Sequence, residues 1–345
     1  MISAHGLGRG GATKPGGILT QMRLQDNAGA AVERVWRLAL RDPRRALEHG
    51  LSPTDLQTLL LAVARTRASA ITPARLTRRW GEDAFVQPAT SDPRAVWKTE
   101  ARLWELLPLN FTGIDLSPLT PFGTCSAVAP VDQNLVVTTV RSSEVVSDPT
   151  NVLAIEAARR RRDTPSEPVH LAACHRVVRA QRFRGPGQLQ HFRLFALVSS
   201  GRDRGSGSTE AGMLIEHIRF WARALGDLLP DRQAVIEFSG FDSPVVVERF
   251  HDTVLPALGT VPRTVVIEDH PERQRARGYY SAGAVRVTVD ASGEQTEIGD
   301  GGFTTWTAHL TADAKERCLI SCVATERLTD VLLTKPGQVP TPGPA

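Results

Sequence analysis

The chain has 345 residues, 41% of them hydrophobic and 23% charged, and its net charge of +4 comes mostly from Arg. This is the make-up of a globular protein with room for a sizeable core, either one large α/β domain with a helical extension or about two domains. No apolar run approaches the roughly eighteen residues of a membrane helix and no signal-peptide core opens the chain, so the expected compartment is the cytoplasm. The four cysteines (Cys125, Cys174, Cys318 and Cys322) form no CxxC pair, which argues against a zinc site and for buried reduced thiols. No internal repeat is visible.

Residues 1–17 are Gly-rich and expected to be a disordered tail. Gly6, Gly8 and Gly11 spell a formal GxGxxG. The dinucleotide fingerprint needs a preceding strand, and five residues leave no room for one. Residues 18–107 read as a helical extension. Ser52 with Pro53, Thr72 with Pro73, and Asp92 with Pro93 each mark a helix start, followed by apolar residues at helical spacing. Arg75, Arg78 and Arg79 on the second helix allow a helix-turn-helix reading, but Arg on a surface helix is more often a solvated face.

From residue 108 to 333 the texture is that of a mixed core. Residues 134–146 are dominated by β-branched side chains and predict a strand. "DPTNVLAIEAARRRR" predicts a helix capped by Asp148 or Thr150, with Arg159 to Arg162 at the end where the helix dipole favours cations. Two strands follow, "VHLAACHRVVRAQRF" and "LQHFRLFALVSSG", joined by a firm Gly-Pro-Gly loop. They carry Arg176, Arg179, Arg182, Arg184 and Arg193. Next come a long amphipathic helix, a strand, a helix from Ser243, another strand, an antiparallel pair turned at Ala-Ser-Gly, and a strand running into a helix at "TERL". Residues 334–345 are Pro-rich and expected to be a second disordered tail. The order excludes a regular βαβ alternation. The fold class is α+β, a mostly antiparallel sheet flanked by helices.

Several fragments stand in a recognisable order: "SPLTP", "DPTNVL", the arginine-bearing hairpin, "RARGYY", "GDGGFTTW" and "TERL". From Phe111 to about Leu328 this order resembles the catalytic core of class II aminoacyl-tRNA synthetases. Within them it is most similar to histidyl-tRNA synthetase and to the ATP phosphoribosyltransferase regulatory subunit. The resemblance implies that Arg179 is the motif 2 arginine on the α-phosphate of ATP and that Phe192 stacks on adenine, with Gln181 beside them. It implies that Arg327, after Glu326, is the motif 3 arginine near the γ-phosphate, and that Arg275 is the catalytic arginine, with Arg273 and Arg277 as alternatives. Tyr279 and Tyr280 then stand in the amino-acid pocket wall. If they lie in a strand, only one can face the pocket. Thr150 takes the amino-group position, and Gly301 and Gly302 permit close approach of the substrate. ATP with Mg²⁺ is the implied cofactor, and a homodimer the implied assembly.

The departures are as informative as the matches. Gln181 and His191 replace motif 2 glutamates, Thr150 and Gly278 replace acidic residues of the pocket, and Ser321, Cys322 and Ala324 replace motif 3 glycines. A ligand ammonium buried without a carboxylate is costly, so the expected pocket suits histidine poorly. No anticodon-binding domain follows Leu328, so ordinary tRNA charging is not expected. Asp115, Asp132 and Glu144 are further candidate carboxylates. His175 and His191 face across the hairpin with no third metal ligand suggested. Three readings follow: a divergent core that binds ATP or another phosphorylated ligand and activates a small carboxylate as an adenylate; a non-catalytic regulatory or scaffold paralogue; and a nucleic-acid-binding protein.

Overall fold

The computed structural model describes residues 33–37, 42–181, 189–273, 275–291 and 293–334. The expected tails, apart from Thr334, lie outside the described residues. So do Arg182, Arg184 and the Gly-Pro-Gly loop. The chain divides into two compact units, one running to Arg79 with Val140–Ser142, the other holding Trp80–Thr139 and Ser143 onward. In the first, helix α1 (Pro53–Ser69) starts as its sequence predicts: the Ser52 hydroxyl accepts from the Asp55 N–H at 3.1 Å, and Pro53 opens the helix. Leu59 is its buried residue. Helix α2 (Pro73–Glu82) follows.

The second unit begins its regular structure with helix α3 (Pro93–Leu106), capped by Asp92. The sequence grouped this helix with the extension. In the structure Leu103 and Leu106 lie in the main apolar core beside Phe195, Phe220 and Trp221. Then come β1 (Thr112–Gly113), β2 (Leu119–Pro121), α4 (Thr124–Val128), β3 (Ser143–Val145) and α5 (Pro149–Asp163). Strands β4 (Val169–Val178) and β5 (His191–Arg202) form the expected hairpin arms and lead into α6 (Ser208–Leu228). The remainder is β6 (Ala234–Gly240), α7 (Pro244–Arg249), α8 (Leu255–Leu258), β7 (Val265–Asp269), β8 (Gly283–Ala291), β9 (Glu294–Thr304), α9 (Trp306–Thr311), β10 (Glu316–Ala324) and α10 (Thr325–Leu333).

Eight strands make one sheet in the order β1-β4-β5-β10-β9-β8-β6-β7. The β1–β4 and β6–β7 pairs are parallel and the rest antiparallel. Side chains alternate across the sheet, so each strand supplies two cores. On β10, Leu319 and Val323 join the core under α6, whereas Cys318 and Ile320 join the core under α5 and α9. That second face carries the cleft described below.

The strand expected over 134–146 shrinks to β3. The Asp132 carboxylate accepts from the Asn134 N–H at 2.9 Å and starts a 3-10 turn at Gln133–Leu135, and Ser142 adopts a left-handed φ of 54°. These local features interrupt a run whose composition favours extension. The arginines ending α5 also divide. Arg161 is 3% exposed and grips Glu316 of β10 through two bonds of 3.0 and 2.7 Å, while its remaining N–H groups meet the carbonyls of Thr164, Pro165 and Glu167. It ties the helix end to the sheet rather than merely complementing the dipole.

Candidate functional site

A cleft of about 920 Å³ opens on the α5 side of the sheet. Its walls come from the ends of β4, β5, β9 and β10, the start of α5, the turn 275–280, the first turns of α10 and the segment Ala89–Ser91. Arg179, Gln181, Phe192, Arg275, Tyr279, Tyr280, Glu326 and Arg327 all line it.

The outer end is built on the β4–β5 hairpin. Arg179 lies just past β4, and its guanidinium sits 5.1 Å from the centroid of the Phe192 ring, a cation–π distance. Its Nε donates to the Ser147 carbonyl at 3.0 Å and its Nη2 to Asp148 Oδ2 at 3.1 Å. Asp148 also caps α5, its Oδ1 accepting from the N–H and hydroxyl of Thr150 at 2.9 and 2.7 Å. One carboxylate therefore fixes both the helix start and the arginine. Glu326 is occupied at both oxygens, by Arg176 Nη2 at 2.5 Å and by the Arg193 N–H at 3.1 Å. Arg193 itself clasps Glu100 at 2.6 and 2.7 Å. His191 is bonded to Arg176 through Nδ1 at 2.8 Å and to the Gln87 carbonyl through Nε2 at 2.6 Å. Arg176 can only donate and a carbonyl can only accept, so in these two bonds Nδ1 accepts and Nε2 donates. Arg327 donates to the Glu297 carbonyl at 2.6 Å, and Arg275, three-quarters exposed, pairs with the Glu297 carboxylate at 3.0 Å.

The inner end is shaped by the turn before β8. Ala276 and Gly278 have φ of 69° and 88°, and both tyrosine N–H groups donate to the Ala276 carbonyl. Because Tyr279 and Tyr280 lie in this turn and not in a strand, both line the cleft, their rings 5.0 Å apart and edge to face. The Tyr280 hydroxyl points at Asp300 Oδ2, 3.4 Å away, and burial raises its pKa. Asp300 pairs across β9–β10 with Cys322, so the two share a face of the sheet. Behind Asp300 stands Arg273, whose Nη2 donates to Oδ1 at 2.8 Å. Burial raises the Asp300 pKa and Arg273 opposes that rise. Burial likewise raises the Cys125 and Cys322 thiols, and pushes Cys174 up to about 12, so these are protonated thiols and not nucleophiles.

Several of the residues singled out in the sequence lie elsewhere. Thr150 is 1% exposed and spends its hydroxyl on Asp148. Gly301 and Gly302 admit protein rather than ligand. A Cβ on Gly302 would stand 2.5 Å from the Tyr280 ring, and one on Gly301 2.4 Å from the Ile320 carbonyl. The candidate Glu144 is a structural acceptor for the Gly123 and Cys125 N–H groups at 2.9 and 2.8 Å. Asp132 caps its own turn, and Asp115 is not among the cleft residues. Conversely, Asp148, Asn151 and Asp300 line the cleft and were not read as ligand-facing. Their spacing carries no periodic signal. Asp300 interrupts a glycine run, which is the one hint the sequence offers.

The sheet order and the helices packed on both faces give the chain the fold of a class II aminoacyl-tRNA synthetase-like core. Among solved structures, the apo histidyl-tRNA synthetase of S. aureus superposes with a TM-score of 0.53 at 18% identity, over 71% of this chain and 68% of that one. An ATP phosphoribosyltransferase regulatory subunit/histidyl-tRNA synthetase from Bacillus halodurans gives 0.54 at 12% identity, over 72% and 83%. The histidyl-tRNA synthetase of Nostoc sp. PCC 7120 gives 0.52 at 14%, over 73% and 74%. These likenesses show the fold. No protein-family model matches the sequence, and no curated protein matches it.

Proposed function

We propose that the cleft binds ATP or another phosphorylated ligand and that the chain activates a small carboxylate as an adenylate. The observation that carries this reading is the meeting of Arg179, stacked on Phe192, with Arg275 and Arg327 in one cleft of about 920 Å³. A guanidinium fork matches phosphate oxygens, and an aromatic face beside it suits a base. In the reaction a carboxylate oxygen of the substrate bonds to the α-phosphorus and pyrophosphate leaves with the bond's electron pair. Arg179 would meet the charge that develops on the α-phosphate, and Arg327 that on the departing pyrophosphate.

A Mg²⁺ accompanying ATP would keep phosphate and water ligands and take one or two carboxylates of the cleft at most. Glu326 has both oxygens engaged, and among the described residues no group of three or more His, Cys, Asp or Glu is placed to hold a metal. No step here is routed through one.

A second reading, a regulatory paralogue that binds without turnover, is favoured by the same outer end. His191 is satisfied by protein groups, and Arg179 is partly neutralised by Asp148. ATP–pyrophosphate exchange with a panel of amino and carboxylic acids separates the two. Exchange that disappears in Arg179→Ala supports adenylation. No exchange together with no melting shift on adding ATP–Mg²⁺ sinks the adenylation reading and leaves the regulatory one. The homodimer belongs to the same proposal. Leu119 and Phe122, 44% and 58% exposed at β2, supply apolar surface for it, and sedimentation reads it directly.

A further inference from the structure

The cleft lies on one face of the sheet. On the α6 face a separate pocket of about 420 Å³ opens beside the first turns of that helix. Pro165, Pro168 and Met213 give it apolar walls, and His170 and Glu216 supply polar groups. Gly212 keeps it open, since a Cβ there would meet nothing within 4 Å. Of its other charged residues, Arg202 pairs with Asp313, Asp203 pairs with Arg317, and Arg204 is exposed to solvent.

His170 is held by a buried chain of hydrogen bonds. The Trp221 Nε1–H can only donate, so the Ser321 hydroxyl accepts from it at 2.8 Å. The chain continues from Ser321 to His217 Nδ1 at 2.8 Å, from His217 Nε2 to Ser199 at 2.8 Å, and from Ser199 to His170 Nδ1 at 2.6 Å. Run in this direction, every hydrogen along the chain has an acceptor. Run the other way, the hydroxyl hydrogen of Ser321, 4% exposed, has none among the described residues. His170 therefore accepts at Nδ1 and carries its hydrogen on Nε2. Burial lowers its pKa against a smaller opposing effect of Glu216, which keeps the ring neutral. The ring lines the pocket, and its Nε2 makes no hydrogen bond among the described residues.

Glu216 stands at the same end of the pocket. The Phe111 ring lies 5.2 Å from the His170 ring, and the adjacent Asn110 donates to Glu216 Oε2 at 2.9 Å. Asn110 is a neutral partner, and among the described residues Glu216 has no cationic one. One unmet N–H donor thus neighbours one carboxylate with spare acceptor capacity. A carboxylate ligand would meet Glu216 as a like charge. An ammonium would have nothing to accept the hydrogen of His170.

We propose that this pocket is a second binding site, for a small apolar molecule with an uncharged carboxamide or urea head, whose carbonyl accepts from His170 Nε2–H and whose N–H donates to Glu216. The site is independent of the cleft and of the nucleotide reading.

The test titrates benzamide, benzoate and benzylamine into the full chain, followed by nuclear magnetic resonance. Benzamide should shift the Gly212 and Met213 amides and bind at least ~5-fold more tightly than either charged probe, about the factor of one unmade hydrogen bond. Glu216→Gln removes the like charge and should bring benzoate to within about twofold of benzamide. Gly212→Leu fills the pocket from an exposed helical position and should abolish benzamide binding without lowering the melting temperature. The His170 ring nitrogens should read as bare Nδ1 and protonated Nε2. Equal affinity for the three probes, no benzamide binding, binding that survives Gly212→Leu, or the reverse tautomer of His170 would overturn the proposal.

Discussion

Replacing Asp148 by Asn should strengthen phosphate binding while leaving the fold intact. Asp148 does two jobs through different oxygens: Oδ1 caps α5 and Oδ2 neutralises Arg179. Asn keeps an Oδ1 acceptor and is as good an N-cap as Asp, so stability should change by no more than about 0.5 kcal/mol, mostly from the helix dipole. The lost ion pair is partly open to solvent, with side-chain exposures of 31% and 20%. Its attraction is therefore taken at the upper end for exposed pairs, about 1 kcal/mol. A phosphate must compete with that attraction, so Asp148→Asn should bind ATP about fivefold more tightly. Isothermal titration calorimetry at fixed ionic strength reads the change, and thermal melting checks the cap. Unchanged or weaker binding by Asp148→Asn would refute the reasoning, since it would mean that Arg179 does not meet the phosphates or that Asp148 must hold it in place.

Further outcomes follow from the same geometry. Arg161→Ala strands the buried Glu316 carboxylate and should cost about 3–5 kcal/mol in urea unfolding, far more than loss of the exposed Arg159 would. Gly302→Ala places a methyl against the Tyr280 ring and should destabilise by about 1–3 kcal/mol, with the turn 276–280 losing protection in hydrogen exchange. His217 is fully buried between Ser199 and Ser321 at 2.8 Å each, and burial lowers its pKa to about 3. The unfolded chain then binds the extra proton first. Stability is complete above about pH 6.5 and falls on acidification toward pH 3, at about 1.4 kcal/mol per pH unit. His217→Gln should flatten that slope in pH-dependent denaturation.

Much of the fold could be read in advance because its signals are local. Caps at Ser52, Asp92 and Asp148, alternation along β4 and β5, and the turn before β9 each need only a few neighbouring residues. The strand expected at 134–146 shows the limit, since an Asp132 turn and a left-handed Ser142 outweigh β-branched composition. In the site, order along the chain was enough to single out Arg179, Phe192 and Arg327, which share the cleft. It could not reveal what each arginine holds. Arg161 meets Glu316 and Arg193 meets Glu100 across long stretches of sequence. Nor could it separate a glycine that admits ligand from Gly302, which admits Tyr280, or show that Arg273 rather than Arg275 stands behind the pocket carboxylate.

The most direct test of the account is the titration of ATP into the wild-type chain and into Arg179→Ala under identical salt. The account predicts measurable binding to the wild type and at least ~10-fold weaker binding to the variant, the factor expected for a charged hydrogen-bond donor on phosphate. No binding to the wild type, or equal affinity in both, would contradict it.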